Sequence, residues 1–430
     1  MNKFFEWMEE HFIPIAGKIG SQRHLVAIRD GFATLTPLIM AGAFATLFNN
    51  LGFEFYQNFM NWLLPANWKN FGGDIWNASF GLMSILVVFS ISYHLARSYD
   101  KDGLSAGVVS VAASWMLYKT TEDGTLPLTF VGSQGLFVAI IVAIIATEIF
   151  VKLIGNPKLV IKMPDGVPPA VAKSFAALIP SIVVLCVTAG ILEIFKVLGL
   201  PDIHQALFNV IQAPLQGVAG SLGGVLVIVF MIHLLWFFGL HGSNIMAPII
   251  NALLLPLTMA NTEAFASGKA AKYILNSQFI DSYVNMGGSG TTIALLIAIL
   301  IIAKRKSAQQ KMMVGLGIAP GCFNINEPVI FGMPIILNPI YFVPFILAPM
   351  ACTVIAYALT AIGFAPKVVV MAGWTTPPIL GAILSTNSIR GGITALICLA
   401  AAVVIYLPFV AMAAKQENAA ANKVENQVTV

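Results

Sequence analysis

Long apolar segments separated by short polar stretches run along almost the whole chain. Between Asp202 and Glu263 there is no Asp, Glu, Lys or Arg, and residues 175–192 form a second charge-free run. Apolar and polar residues do not alternate within these runs, which favours helices over barrel strands. At about 20 residues per span plus connections, there is room for about ten membrane helices. The pattern predicts an all-α polytopic membrane protein.

The distribution of these segments predicts two membrane-embedded halves. Residues 1–24 mix aromatic and charged positions at helical spacing, which predicts an amphipathic N-terminal segment at the membrane interface. Five spans are expected in residues 25–200. A more mixed stretch, residues 201–220, is interpreted as an amphipathic linker. Residues 221–414 form the second half, and a polar tail, residues 415–430, closes the chain.

Basic residues predict the orientation of the spans. Three positions precede the first span: Lys3, Lys18 and Arg23. Two later loops are also basic, one with Lys152, Lys158, Lys162 and Lys173 and the other with Lys304, Arg305, Lys306 and Lys311. Lys and Arg concentrate in cytoplasmic loops. The N-terminus and both loops are therefore expected on the cytoplasmic side of the cell membrane.

Two apolar segments of the second half are interrupted by Gly, Pro and Asn. Residues 238–256 read FGLHGSNIMAPIINALLLP, and residues 319–339 read APGCFNINEPVIFGMPIILNP. Non-helical backbone within a membrane has to line a cavity or be buried in protein. Paired broken segments in transporters lie at substrate sites near the midplane. These two segments are therefore predicted to form a substrate site.

Composition narrows the class of protein further. Hydrophobic residues make up 58% of the chain and charged residues 10%, and the mean hydropathy is +0.85. A soluble domain carries about 25% charged residues, so a soluble enzyme, a disordered chain and a nucleic-acid-binding protein are excluded. The four cysteines form no CxxC pair or metal-ligand spacing, and no GxxxxGK[ST] loop is present. Neither a metal nor a cofactor is expected.

Glu327 is the strongest candidate for chemistry. No other acidic residue lies between Asp281 and Glu417, and Glu327 follows Asn326 within an apolar run. A charge at bilayer depth costs about 2.5–3.5 kcal/mol, so it should face a cavity or a partner. A ligand-binding or proton-transfer role is favoured. The alternative is an interfacial glutamate at the start of a half-helix that begins at Pro328.

Further candidates surround the two broken segments. His241 lies in the first, three residues before Asn244, and the amides of Asn244 and Asn326 suit sugar hydroxyls. The tryptophans Trp236 and Trp374 have two interpretations: stacking on a sugar ring, or a place in the interfacial aromatic belt.

Three motifs carry a family resemblance: WFFGLHG, FNINEPVIFGMPIILNP and GWTTPP. With them, the chain resembles, over essentially its whole length, the membrane-embedded IIC component of the bacterial phosphotransferase system (PTS), in the lactose/cellobiose/chitobiose family. The resemblance implies ten transmembrane helices and two re-entrant hairpins per protomer. It also implies a homodimer in the lipid membrane, built mainly through the first half, and an elevator-type movement of a substrate domain in the second.

The same resemblance implies roles for the candidate residues. Glu327 and His241 match the positions near the sugar hydroxyl that receives phosphate, and Asn326, Trp236 and Trp374 match substrate contacts. The phosphoryl donor is a phosphocysteine of a IIB protein. None of the four cysteines lies in a IIB-like loop, so a separate IIB chain is expected.

The resulting functional hypothesis is a IIC permease for a β-linked disaccharide of the cellobiose or chitobiose type. It translocates the sugar and presents the 6-hydroxyl for phosphorylation, as the membrane component of a protein-phosphocysteine–sugar phosphotransferase. Whether Glu327 or His241 is the general base stays open. The alternative is a proton-coupled symporter, with Glu327 as proton carrier, that releases unmodified sugar.

Overall fold

The computed structural model describes residues 7–51, 54–118, 128–159, 161, 168–200, 202–302, 307–333 and 335–428, and every regular element in these ranges is a helix. Six helical stretches of the described chain are long and apolar enough to cross a membrane, or eight if each of two bent pairs is one span. The predicted all-α polytopic membrane fold is confirmed. The count of about ten spans with two hairpins stays a prediction. Several predicted basic positions lie outside the described residues: Lys3, Lys162, Lys304, Arg305 and Lys306.

The first half contains eight described helices, and the long helix α2 packs mainly against α4 and α5. Polar side chains begin two of them, since Gln22 accepts a hydrogen bond from the backbone N–H of Leu25 and Asp102 from that of Leu104. The helices are α1 (Ile13–Gly20), α2 (Arg23–Asn50), α3 (Glu54–Leu63), α4 (Lys69–Ser79), α5 (Met83–Arg97), α6 (Gly103–Met116), α7 (Leu136–Ile154) and α8 (Pro169–Val197).

A polar cluster joins α2, α5 and α7 at one end of the first half. Glu148 lies 2.9 Å from His24 Nε2 and accepts a hydrogen bond of 2.5 Å from the Tyr99 hydroxyl. The guanidinium of Arg23 lies 3.8 Å from the centre of the Tyr99 ring. Lys152 is 3.8 Å from the same carboxylate. The start of α2 and the ends of α5 and α7 therefore lie on the same side of the bundle.

The stretch predicted as a linker joins the second half in a bent helical pair. The stretch Ile203–Ala219 meets the helix Leu222–Phe237 at 71°, and a second pair, Gly242–Leu253 and Leu255–Ala266, is bent by 49°. The helices are α9 (Ile203–Leu207), α10 (Ala213–Ala219), α11 (Leu222–Phe237), α12 (Gly242–Leu253), α13 (Leu255–Ala266), α14 (Ser277–Phe279), α15 (Thr292–Ile302), α16 (Ala308–Cys322), α17 (Glu327–Gly332), α18 (Pro339–Ala361), α19 (Pro378–Thr386) and α20 (Ile389–Val428), with π-helical turns at Phe208–Gln212 and Ile280–Val284.

Both segments that the sequence marks as interrupted contain helix breaks. In the first, α11 ends at Phe237 and α12 begins at Gly242, with Gly239 at a φ of +78° between them. In the second, α16 ends at Cys322 and the short α17 follows Asn324, whose φ is +61°. Left-handed backbone of this kind cannot continue a right-handed helix, so the chain turns at both places.

Each half has its own hydrophobic core. The core of the second half packs α11, α15, α18 and α20 around fully buried aromatic side chains such as Phe345 and Tyr406. The core of the first half includes Phe32 and Ile91, and it also contains Leu255 and Val370 from the second half. Helix α13 and the segment near Val370 therefore pack on the first half, and α12 also lies against α2.

Candidate functional site

A cavity of about 350 Å³, here called the Glu327 cavity, opens inside the second half. Four pieces of chain form its wall: the α11–α12 junction, the loop after α14, the α16–α17 break and the segment that carries Trp374. All six site residues predicted from the sequence line it. Its full lining is Trp236, His241, Ser243, Asn244, Asp281, Asn285, Gly288, Ser289, Asn324, Asn326, Glu327 and Trp374.

His241 is held by the helix that follows it. Its Nδ1 accepts a hydrogen bond of 3.2 Å from the backbone N–H of Asn244, so the side chain caps the N-terminus of α12. The imidazole packs against Trp236, with 4.3 Å between ring centroids. A neutral imidazole that accepts at Nδ1 carries its hydrogen at Nε2. His241 therefore presents a hydrogen-bond donor.

Asn324 connects three parts of the wall. Its Nδ2 donates to the backbone carbonyls of Trp374 at 2.6 Å and Thr376 at 2.9 Å. Its Oδ1 accepts from the backbone N–H of Gly287 at 2.8 Å. Asparagine tolerates the left-handed conformation found here better than most residues. One side chain thus fixes the α16–α17 break, the glycine-rich loop and the Trp374 segment relative to one another.

The loop between α14 and α15 approaches its neighbours too closely for side chains. Gly288 has a φ of +93°, and a Cβ there would lie 2.6 Å from Asn326. Gly290 has a φ of +84°, and a Cβ there would lie 2.2 Å from the Phe345 ring. The hydroxyl of Tyr406 donates to the Gly290 carbonyl at 2.6 Å. Glycine is required at both positions, and the result is a rigid wall beside Glu327.

The four predicted sugar-contact residues differ in what they expose. Trp374 is 56% exposed and offers an open ring face, whereas Trp236 is 3% exposed and its Nε1 donates to Ser243 at 3.4 Å. Asn326 is 4% exposed, and its Nδ2 donates to the Ser289 carbonyl at 2.9 Å. Asn244 is exposed. Trp374 and Asn244 are thus free to contact a ligand, while Trp236 and Asn326 mainly shape the wall.

Several lining residues were missed by the sequence analysis, notably Asp281, Asn285 and Asn324. Asp281 and Asn285 precede the run GGSG, and an acidic residue just before such a run in apolar sequence would have been a usable signal. These residues also border a second cavity of about 360 Å³, here called the interhalf cavity. Its opposite wall comes from α2, including Arg29 and Thr36. The site thus extends to the boundary between the two halves.

The chemical character of the two cavities suits a neutral, polyhydroxylated ligand. Amides, hydroxyls, a carboxylate and an imidazole donor provide many hydrogen bonds, and an aromatic ring provides a stacking face. Within the described part of the chain, no three His, Cys, Asp or Glu residues are grouped as metal ligands.

Comparison with known proteins places the chain among membrane sugar transporters. The family model "Phosphotransferase system, EIIC" matches residues 29–349. The Lichenan permease IIC component of Bacillus subtilis (strain 168) is 39% identical over 99% of this chain and 97% of its own length. The PTS system cellobiose-specific EIIC component of Geobacillus stearothermophilus is 38% identical over 97% of this chain and 96% of its own length.

A solved structure has the same fold. It is the crystal structure of the transporter ChbC, the IIC component from the N,N'-diacetylchitobiose-specific phosphotransferase system. The TM-score is 0.92 at 38% sequence identity, covering 97% of this chain and 99% of that one.

Proposed function

Because the chain belongs to the phosphotransferase system EIIC family, within its lactose/cellobiose/chitobiose group, we propose that it transports a β-linked disaccharide of the cellobiose or chitobiose type. It is a multi-pass membrane protein of the plasma membrane. The observation that carries the substrate proposal is the Glu327 cavity, where a carboxylate, an imidazole and an open indole face meet. The names of the cellobiose and chitobiose relatives support the sugar class.

Glu327 is the proposed general base for the transfer of phosphate to the sugar. The carboxylate accepts the proton of the 6-hydroxyl while the oxygen attacks the phosphorus of a IIB phosphocysteine and the S–P bond breaks. His241 is less suited to this role, because its Nδ1 already accepts the Asn244 N–H and its Nε2 then carries hydrogen. That N–H instead orients the hydroxyl or stabilises phosphoryl oxygens. Much of the rate enhancement comes from aligning the sugar hydroxyl with the phosphoryl group.

The boundary between the halves supports an elevator-type movement. The Glu327 cavity is formed by the second half alone, whereas the interhalf cavity places α2 of the first half opposite it. Sliding of the second half along α2 carries the loaded site past a fixed wall. Once phosphorylated, the sugar bears charge that resists return through an apolar barrier.

The polar cluster of α2, α5 and α7 supports the proposed orientation. Arg23, Arg97 and Lys152 belong to this end of the first half, and the described residues before α2 add Lys18. Cationic ends face the cytoplasm. This arrangement supports our proposal that the N-terminus lies inside the cell.

Helix α8 supports the proposed homodimer. Only 17% of its most apolar window is buried, whereas the other five candidate spans range from 39% to 50%. Its exposed apolar residues include Ile182, Ile191 and Ile194. A second copy that packs on this face buries it, and lipid covers the remaining apolar surface.

Vesicle transport tests the proposal directly. Membrane vesicles that contain this protein receive radiolabelled cellobiose, with or without phosphorylated IIB on the cytoplasmic side. Sugar 6-phosphate that forms only with phosphorylated IIB is the expected result. Accumulation of free sugar driven by a proton gradient would contradict it and would make Glu327 a proton carrier. Chitobiose is tested as the second sugar. If chitobiose is phosphorylated and cellobiose is not, only the choice of disaccharide is wrong.

A further inference from the structure

A third polar cavity lies apart from the Glu327 site, and nothing in the proposed mechanism uses it. It measures about 320 Å³ and is here called the Asn49 cavity. Its wall combines the end of α2, one side of α4 and the end of α13 with the residue that follows it. The lining is Thr46, Asn49, Asn50, Lys69, Asn70, Gly72, Gly73, Trp76, Asn77, Ala266 and Ser267.

The position of this cavity follows from two helices that border both it and the interhalf cavity. On α2, Met40 lines the interhalf cavity and Thr46 lines the Asn49 cavity, a separation of about 9 Å at 1.5 Å per residue. On α13, Leu255 lines the interhalf cavity and Ala266 lines the Asn49 cavity, and these two residues are about 16 Å apart along the helix. The Asn49 cavity therefore lies towards the end of α2 that is opposite the Arg23 cluster, and this end is the outer face in the proposed orientation.

Two polar atoms in its wall are buried without a partner. Asn49 is 8% exposed, and its Nδ2 donates to the Lys69 carbonyl at 2.6 Å, but its Oδ1 has no hydrogen-bond partner in the structure. The Nε1 of Trp76 is buried and also lacks a partner. A buried polar group that stays unsatisfied is costly. One free acceptor and one free donor in the same wall point to a ligand that both accepts and donates hydrogen bonds.

The remaining lining narrows the class of that ligand. Besides Asn49, three asparagines line the cavity, and Trp76 adds an aromatic ring. Asparagine amides pair with hydroxyl groups as donor and acceptor. The lining contains no acidic residue, so a cation is not favoured, and its one charged residue, Lys69, is exposed. Asparagine amides beside an aromatic ring match a neutral sugar.

We propose that the Asn49 cavity is an entry subsite that captures the disaccharide at the outer face before the sugar reaches the Glu327 cavity. The inference rests on the proposed function for the identity of the sugar. The first half supplies α2 and α4 and the second half supplies Ser267, so the subsite lies at the same boundary as the interhalf cavity. Asn387 of the second half also donates to the Asn50 carbonyl at 2.9 Å. Sugar bound in the Asn49 cavity would then move along α2 to reach the interhalf cavity and the Glu327 cavity.

Protection of an introduced cysteine tests binding without any phosphorylation step. Asn77→Cys is placed in a variant whose Cys186 and Cys322 are replaced by serine, in right-side-out vesicles. A membrane-impermeant maleimide should label the introduced thiol from outside, and cellobiose should slow the labelling. The matched control is Asn61→Cys, an exposed position on α3 outside the cavity, where cellobiose should have no effect. Labelling at position 77 that is absent, or that cellobiose does not slow, would overturn the proposal.

Filling the cavity tests its role in transport. Gly73 lines the cavity, and a Cβ there would meet no atom within 4 Å, so Gly73→Leu adds a larger side chain to the wall at a position where its first atom fits. Leucine also favours the helix more than glycine. The control, Gly217→Leu in α10, places the same side chain at another helical glycine with open space, outside the three cavities. Trp76→Phe removes the free donor while it keeps an aromatic ring, and it should raise the half-saturating sugar concentration for uptake about two- to tenfold, the range for one hydrogen bond.

Comparison of two preparations separates entry from chemistry. In vesicles supplied with sugar from outside, Gly73→Leu should raise the half-saturating concentration at least as much as Trp76→Phe does. In detergent, sugar reaches the Glu327 cavity from either face. Phosphorylation of the sugar by phospho-IIB should therefore be the same for Gly73→Leu as for wild type. Equal kinetics of Gly73→Leu and wild type in vesicles, or equal losses in both preparations, would overturn the entry subsite. Wild type that is inactive in both preparations would contradict the proposed function, and the cysteine protection would still decide the subsite.

Discussion

Replacing Asn324 tests how the substrate site is held together. Asn324→Ala removes three hydrogen bonds, two to the Trp374 and Thr376 carbonyls and one from the Gly287 N–H. Each is worth about 0.5–1.5 kcal/mol net, so the loss is about 3 kcal/mol. Alanine at the observed φ of +61° adds a backbone cost of about 1 kcal/mol. Asn324→Gly avoids that cost and isolates the side-chain contribution.

The expected result is a large loss of sugar affinity. If the 3 kcal/mol holds the Trp374 segment and the glycine-rich loop in the binding arrangement, cellobiose affinity falls by up to about 100-fold. Equilibrium binding to the purified protein measures this loss, and thermal unfolding measures stability. Asn324→Gly should lose affinity nearly as much as Asn324→Ala but should be more stable.

Asn261→Ala is the matched control for this experiment. Its buried amide makes four hydrogen bonds, to the carbonyls of Tyr273 and Val368 and from the N–H groups of Lys272 and Tyr273. Asn261 lines neither the Glu327 cavity nor the interhalf cavity. It should lower stability at least as much as Asn324→Ala while affinity stays near wild type. Unchanged affinity in Asn324→Ala, with stability lowered, would refute the positioning role of Asn324.

Four further outcomes are expected. Glu327→Gln should abolish sugar phosphorylation by phospho-IIB while the protein folds and keeps some cellobiose binding; normal turnover would exclude Glu327 as the base. Trp374→Ala should weaken cellobiose binding about two- to tenfold, because an aromatic contact is worth about 0.5–1.5 kcal/mol. Unchanged affinity in an equilibrium binding measurement would show that Trp374 does not contact the sugar. A bis-maleimide should link two protomers through the exposed Cys186 of α8, with Cys186→Ser as the gel control; a wild-type band that stays monomeric would argue against α8 as the dimer face. Thr36→Cys with Asn251→Cys, from opposite walls of the interhalf cavity, should block uptake when cross-linked and recover it on reduction, whereas full uptake in the cross-linked state would contradict movement along α2.

Local sequence motifs predicted only part of the candidate site. Glu327 and His241 stood out because an acid and a histidine beside Gly, Pro and Asn are unusual in apolar sequence. Asn324 lies three residues before Glu327 and was passed over. Its importance comes from Gly287 and Trp374, which are 37 and 50 residues away. Sequence spacing contains no information about such contacts.

Trp236 illustrates the opposite case. Its motif suggested a substrate contact, but the residue is almost fully covered. Exposure depends on what packs against a side chain, here the His241 ring and Ser243. Trp374 comes from a different part of the chain and has the exposed ring. The same residue type in two motifs thus differs in what it offers to a ligand.

The sequence by itself determined the membrane class, the helical fold and the places where helices must break. These properties follow from local physics, since long uncharged runs need a lipid or protein interior and Gly, Pro and Asn interrupt helices within it. Only the tertiary structure determined which of these helix breaks lie next to each other. It brought Glu327, His241 and Asp281 to one cavity, placed α2 across the adjoining interhalf cavity and left the Asn49 oxygen without a hydrogen-bond partner near the end of α2. Those relations depend on contacts between distant helices, which local patterns do not specify.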